Sequence, residues 1–136
     1  MTRIASATLK SALVGATLAA AAMAAPAHAG GSISFNLQPR NAQEEQAMRA
    51  GLGIYALVNG IKSGSIKQNG IGNIAGLMQN GRGNLGVVHQ KGNGHNGTLV
   101  QNGNGNSHGL FQFGRNTSAN VAQYGGDTGA TFQWGW

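Results

Sequence analysis

Ala75-Gly76-Leu77-Met78-Gln79-Asn80-Gly81 is one copy of a pattern that runs through the C-terminal half of the chain. Its glutamine recurs every eleven residues, as Gln68, Gln79, Gln90, Gln101, Gln112 and Gln123, and Gln133-Trp134-Gly135 gives a shortened last copy. Two positions after each of the six stands a glycine: Gly70, Gly81, Gly92, Gly103, Gly114 and Gly125. Two positions before stands an aliphatic residue: Ile66, Leu77, Val88, Leu99, Leu110 and Val121. Four before, from the second copy on, comes a small or compact one: Ala75, Gly86, Gly97, His108 and Ala119. A fixed internal period of this kind is the signature of a repeat architecture.

Residues two apart share a face of a strand. Each unit therefore predicts a strand of about seven residues with one selected face, reading small, aliphatic, glutamine, glycine. The remaining four residues, such as Gly81-Arg82-Gly83-Asn84, are types that tolerate left-handed backbone and make tight turns. A helix is excluded by the two or three glycines in each unit. Two units make a coil of 22 residues, and coils stack at about 4.8 Å per layer. The expectation is an all-β, amyloid-like two-sheet β-solenoid of roughly three coils over 65–136, odd copies in one sheet and even copies in the other. The inward positions hold no Lys, Arg, Asp or Glu, as a closed core requires; Lys67, Arg82, Lys91, Arg115 and Asp127 fall on turns or outward positions.

An inward glutamine needs partners for both ends of its amide. Stacked glutamine above glutamine, each carbonyl can accept from the amide of the next layer, and Gln68 to Gln133 become a self-satisfying ladder of the cross-β kind. Asn73, Asn84 and Asn106, five residues after their glutamines, are expected to ladder likewise at the turns, in a series interrupted by His95, Thr117 and Thr128.

Working outward from the repeat, residues 1–29 read as an export signal. Arg3 and Lys10 precede an Ala-, Leu- and Val-rich run, and Ala27-His28-Ala29 offers a small-x-small cleavage site before Gly30. No other stretch is apolar and long enough to span a membrane. Losing Arg3 and Lys10 with the leader lowers the formal charge from +6 to +4. That mild excess favours anionic surfaces without pointing to a specific nucleic acid. There is no cysteine, hence no disulfide and no thiolate chemistry. Residues 30–64 lie outside the repeat. Ile33-Ser34-Phe35-Asn36-Leu37 alternates as a strand does. Asn41 with Glu44 resembles a helix cap with its box partner, and Met48, Leu52 and Tyr55 fall on one helical face. Gly51 and Gly53 weaken that helix, and Ile54–Val58 reads equally well as strand; we assign 42–58 to helix. Two roles are open for it, an export recognition segment or a cap on the first coil.

The residues offer little for catalysis. The only acids are Glu44, Glu45 and Asp127, and the paired glutamates suit a helix N-terminus. His89 is outward by phase, His95 and His108 lie in or beside inward positions, and their spacing matches no metal-ligand signature. The glycine-rich turns lack the following helix and G-K-[ST] of a phosphate loop, and a calcium roll would need an aspartate in every turn. The expectation is no enzyme, no cofactor and no metal. Phe111, Phe113, Tyr124, Phe132, Trp134 and Trp136 gather in the last copies as a candidate sticky face or end.

Gln68, Gly70, Asn73, Ala75 and Gln79 fit the pattern Q-x-G-x-x-N-x-A-x-x-x-Q throughout, and the repeat resembles the curlin repeat of curli fibre subunits, secreted functional amyloids of Gram-negative biofilms. The resemblance implies export through the periplasm, passage through a dedicated outer-membrane pore, and templated polymerisation with itself and with a second subunit or nucleator, for adhesion and biofilm matrix. Lys62 stands where the family usually has serine, and the Asn and Ala positions fade after the second copy, which leaves open whether this is a major subunit or nucleator-like. The residues themselves point to an unguarded far edge, with Thr131–Trp136 ending as an open aromatic strand. A monomeric secreted solenoid that binds a glycan or ice surface is the alternative, although regular Thr-x-Thr rows are missing. A membrane-active cationic peptide would need a basic amphipathic helix, which 42–62 only weakly approaches.

Overall fold

The computed structural model describes residues 30–136, so Ala27 and Ala29 of the expected cleavage site lie outside the described residues and only Gly30 lies within them, exposed. The elements are β1 (Ser32–Leu37), α1 (Ala42–Val58), β2 (Gly64–Asn69), β3 (Ile74–Asn80), β4 (Leu85–Asn93), β5 (Asn96–Asn102), β6 (Ser107–Arg115), β7 (Ser118–Tyr124) and β8 (Thr128–Gly135). They form two sheets, β1-β8-β6-β4-β2 and β3-β5-β7. Odd and even repeat copies thus separate into opposite layers of a β-solenoid of about three turns.

Neighbouring strands of the solenoid are parallel, and their register keeps the repeat in phase. Gln68 pairs with Gln90 and Gln90 with Gln112 in one sheet. Gln79 pairs with Gln101 and Gln101 with Gln123 in the other. The shortened last copy is accommodated in the turn, where Gly125-Gly126-Asp127 closes with one residue fewer. Ser107 pairs with Thr128, and Gln112 still meets Gln133. Thr131 consequently lies opposite Leu110 and Phe132 opposite Phe111.

Stacking, more than turn geometry alone, dictates the first glycine of every turn but the last, where Gly125 has open space beside it. Gly92 has φ +132°, and a Cβ there would fall 1.9 Å from the carbonyl oxygen of Gly114 in the next layer. The second turn position, Gly72, Gly83, Gly94 and Gly105, sits near φ +70°. Asn116 occupies the equivalent place at φ 53°, as one of the few side chains that tolerate left-handed backbone.

Two apolar clusters hold the unit Gly31–Trp136 together. Between the sheets, Val88, Leu99 and Leu110 are fully buried, flanked by Ala75, Leu77, Ala119 and Val121. Each such side chain contributes about 1.5–3 kcal/mol of transfer free energy. Outside the solenoid, on the outer face of the β8-β6-β4 sheet, Leu52 packs on Val87 and Phe111, with Met48, Tyr55, Leu85 and Phe132 around them. This burial decides 54–58 for helix over strand. Leu52 and Ala56 are buried, whereas Gly51 and Gly53 face open space and cost only propensity. Asn41 caps the helix by accepting from the Glu44 N–H at 2.9 Å. The Glu44 carboxylate reaches back one residue beyond the cap, accepting from Arg40 N–H at 2.8 Å.

The non-repeat segment corrects three expectations. Its helix lies on the outer face of the β8-β6-β4 sheet instead of capping the first coil, and its strand β1 pairs antiparallel with β8, from Ser32 opposite Gly135 to Leu37 opposite Ala130. Thr131–Trp136 is therefore not an open edge; its backbone groups pair with β6 on one side and β1 on the other. Nor do the aromatics form a bare face. Phe111 lies beneath the helix with its ring 5.4 Å from Tyr55 and stacks on Phe132 at 4.9 Å, and only Tyr124, Trp134 and Trp136 stay substantially exposed. Among the described residues no helix is long and apolar enough to cross a membrane.

Candidate functional site

Two glutamine ladders run up the inside of the solenoid, one per sheet. In the first, the Nε2 of Gln68 donates to Gln90 Oε1, Gln90 to Gln112, and Gln112 to Gln133, each at 2.8 Å. In the second, Gln79 donates to Gln101 at 2.9 Å and Gln101 to Gln123 at 2.8 Å. The sequence expectation of one amide per layer omitted the other half of the arrangement. The second amide hydrogen crosses the core to a backbone carbonyl at the start of a strand of the opposite sheet. Gln90 donates to Ile74 O at 2.8 Å, Gln101 to Leu85 O at 3.0 Å, and Gln112 to Asn96 O at 3.1 Å. Each interior amide thus has both hydrogens and its oxygen engaged, which is why Gln90, Gln101 and Gln112 are buried without penalty. The small column explains itself at the same time: a Cβ on Gly97 would fall 2.5 Å from Gln112 Oε1.

The asparagines do not form an amide-to-amide ladder. Asn73 and Asn84 begin separate columns on opposite turns, and their oxygens accept from backbone. Asn73 Oδ1 accepts from His95 N–H at 3.0 Å, and Asn84 Oδ1 from Asn106 N–H at 2.9 Å. Their amides donate to glycine carbonyls, Asn73 to Gly92 at 2.8 Å and Asn84 to Gly103 at 2.9 Å. Asn106 Oδ1 accepts from Asp127 N–H at 3.0 Å, so the shortened turn puts Asp127, not Thr128, at the top of this column. In the other column Thr117 Oγ1 donates to His95 Nδ1 at 2.8 Å.

His89, His95 and His108 stand in three different columns. His89 is outward, its Nδ1 2.9 Å from Tyr55 Oη; burial, then Lys67 and Lys91, lower its pKa, and burial raises that of Tyr55. His108 is inward in the small column, with Gly129 above it making room. Thr131 donates its one hydroxyl hydrogen to Asn36 Oδ1 at 3.2 Å, so at 3.1 Å it accepts from His108 Nε2–H. His108 Nδ1 is then an acceptor, buried and without a partner, and burial lowers the pKa to about 4.

Arg49 is the contact that sequence reading missed. Its guanidinium donates from Nη1 to Gly105 O and from Nη2 to Gly126 O, both at 2.6 Å. It also pairs with Glu45 at 2.9 Å. The fork straps α1 to two successive layers of turns. Only a helix known to lie over those turns would have revealed it.

The two ends of the ladders differ chemically. At the β2/β3 end, Gln68 and Ile66 are exposed, and among the described residues no donor reaches Gln68 Oε1 or Gln79 Oε1. At the opposite end, Gln133 donates across the core to Ser118 O at 2.9 Å and to Ser34 Oγ of β1 at a long 3.4 Å, and Gln123 donates only to Ser107 O, at 3.4 Å. One end presents acceptors and the other presents donors. Comparison of the chain with known protein families, characterised proteins and solved structures finds no match, so the ladders and their two unlike ends define the site on their own geometry.

Proposed function

We propose that the chain is an extracellular structural subunit that polymerises end to end into cross-β fibres of the curli type, exported through an outer-membrane pore and serving adhesion and biofilm matrix. The observation that carries this reading is the complementarity of the ladder ends. Unpaired Gln68 and Gln79 oxygens at one end match, at the other, the Gln133 amide hydrogen held only by the long Ser34 contact and the unengaged amide hydrogen of Gln123. Contacts that are the same between molecules as within them give head-to-tail association that does not close. A second curli-type subunit or nucleator could template the first layer through the same edge. The test is to incubate the purified chain from Gly30 onward, following thioflavin fluorescence, electron micrographs and fibre diffraction. Fibres with a reflection at about 4.7–4.8 Å support the proposal. A chain that stays monomeric over weeks at high concentration, even when seeded, defeats it.

One observation favours a second reading, a monomeric solenoid that binds a glycan or another surface. The antiparallel strand β1 covers the β8 edge, as soluble sheet proteins cover theirs. Sedimentation at increasing concentration separates the two readings.

A further inference from the structure

The edge of β8 is occupied by the one strand that does not belong to the solenoid. β1 runs antiparallel where every other neighbour pair is parallel. All six of its residues are exposed. Its inward side chains, Ser34 and Asn36, imitate a solenoid layer poorly: the contact to Gln133 is 3.4 Å and that to Thr131 is 3.2 Å, against 2.8 Å for each glutamine step of that ladder. Its outward side chains, Ile33, Phe35 and Leu37, remain about half exposed, with Phe35 meeting Trp134 only edge-on at 6.1 Å. The chain that follows also shields the second sheet. Asn36, Gln38 and Pro39 line a cavity of about 430 Å³ together with Val121, Gln123 and His108, beside the free edge of β7.

We propose that β1 is a displaceable stopper, holding the β8 edge that β2 of a second copy would take. The inference rests on the fibre reading above and adds how assembly is held back. Continuing the register of the stack by one layer puts Gln68 of the second copy on Gln133 and its Gly64 on Gly129. In the other sheet its Gln79 falls on Gln123 and its Leu77 on Val121. The incoming end brings both acceptors the ladders lack and an apolar residue to cover the inner core. β1 supplies a single strand, a hydroxyl in place of the glutamine, and nothing on β7. Two parallel edges joined at once outcompete one antiparallel edge, but only after β1 has left, so the free chain pays its opening equilibrium before each addition. α1 need not move with it, since Arg49 straps the helix to the turns and Gln38–Arg40 lies between.

The test uses the absence of cysteine from the chain. Asn36 and Thr131 face each other across β1 and β8, so the double substitution Asn36→Cys, Thr131→Cys locks the stopper when oxidised. The oxidised chain should have a thioflavin lag about tenfold longer than the same chain reduced by dithiothreitol, because the lock removes the open form. Ser34→Pro, which weakens β1 and leaves every residue of the solenoid unchanged, should shorten the lag relative to the parent chain. Equal lags for the oxidised and reduced chains, with fibres in both, overturn the stopper and leave the fibre reading standing. An absence of fibres from the parent, the reduced chain and Ser34→Pro alike overturns the fibre reading and the stopper with it.

Discussion

Replacing Gln101 by alanine probes the ladder at its most enclosed point. Gln101 is fully buried; it accepts from Gln79 and donates to Gln123 and to Leu85 O. Truncation strands a donor on Gln79 and acceptors on Gln123 and Leu85, and it opens a void of several heavy atoms. Each abandoned buried group costs about 1–3 kcal/mol, but Gln79 is only partly buried and recovers water. The expected loss is about 3–5 kcal/mol, at the upper end for a single substitution. Gln68→Ala is the internal control: Gln68 is exposed and makes one ladder bond, so its loss should stay near 1 kcal/mol. Urea unfolding followed by far-ultraviolet circular dichroism measures both, read as midpoint shifts at unchanged slope. Equal losses in the two variants would refute the reasoning, because position within the ladder would then carry no weight.

Acid should loosen the β8 end. Burial holds the His108 pKa at about 4 against about 6.5 in the unfolded chain, so the unfolded state binds the extra proton. The stability this represents is full above pH 6.5 and is lost as pH falls towards 4, about 3 kcal/mol in all. His108→Gln should flatten the dependence in that window, read from urea midpoints between pH 7 and 4. Gly92→Ala, which drives a Cβ into the Gly114 carbonyl, should cost more than 3 kcal/mol, whereas Asn116→Gly, at a left-handed position, should be within about 1 kcal/mol of neutral; thermal melts compare them. Arg49→Lys should release α1 from the turns, because an ammonium cannot span the two carbonyls as a fork does. Hydrogen exchange in 42–58 should then rise while the β4–β6 amides keep their protection.

The inside of the solenoid was legible in the sequence because the constraint there is periodic. Gln, aliphatic and small residue must recur at one spacing, and those columns gave strands, sheets and register, with Leu99 and Leu110 at the centre. The cross-core bonds from Gln90 to Ile74 O and its equivalents were not legible, since they depend on the distance between sheets, which no spacing along the chain encodes. Thr131–Trp136 was misread as an open edge for a similar reason. Ser32–Leu37 alternates visibly, but its partner is fixed by tertiary docking nearly a hundred residues away, where Ser34 meets Gln133. The Asn73 and Asn84 columns were placed correctly and paired wrongly, because a side-chain oxygen in a turn finds the next layer's N–H before it finds the next amide. The signal sequence and export rest on sequence and resemblance.

The outer column of the larger sheet reads Lys67, His89, Phe111, Phe132 from layer to layer, where the inner column reads glutamine throughout. A purely periodic stack offers a docking helix several equivalent berths, one per layer, with nothing to choose among them. Here the interior can be copied and the exterior serves as an address: Tyr55 finds the Phe111 ring and the His89 nitrogen at only one height. Any further coil added to such a molecule could lengthen it freely without moving the helix, provided the new outer positions did not spell the same word.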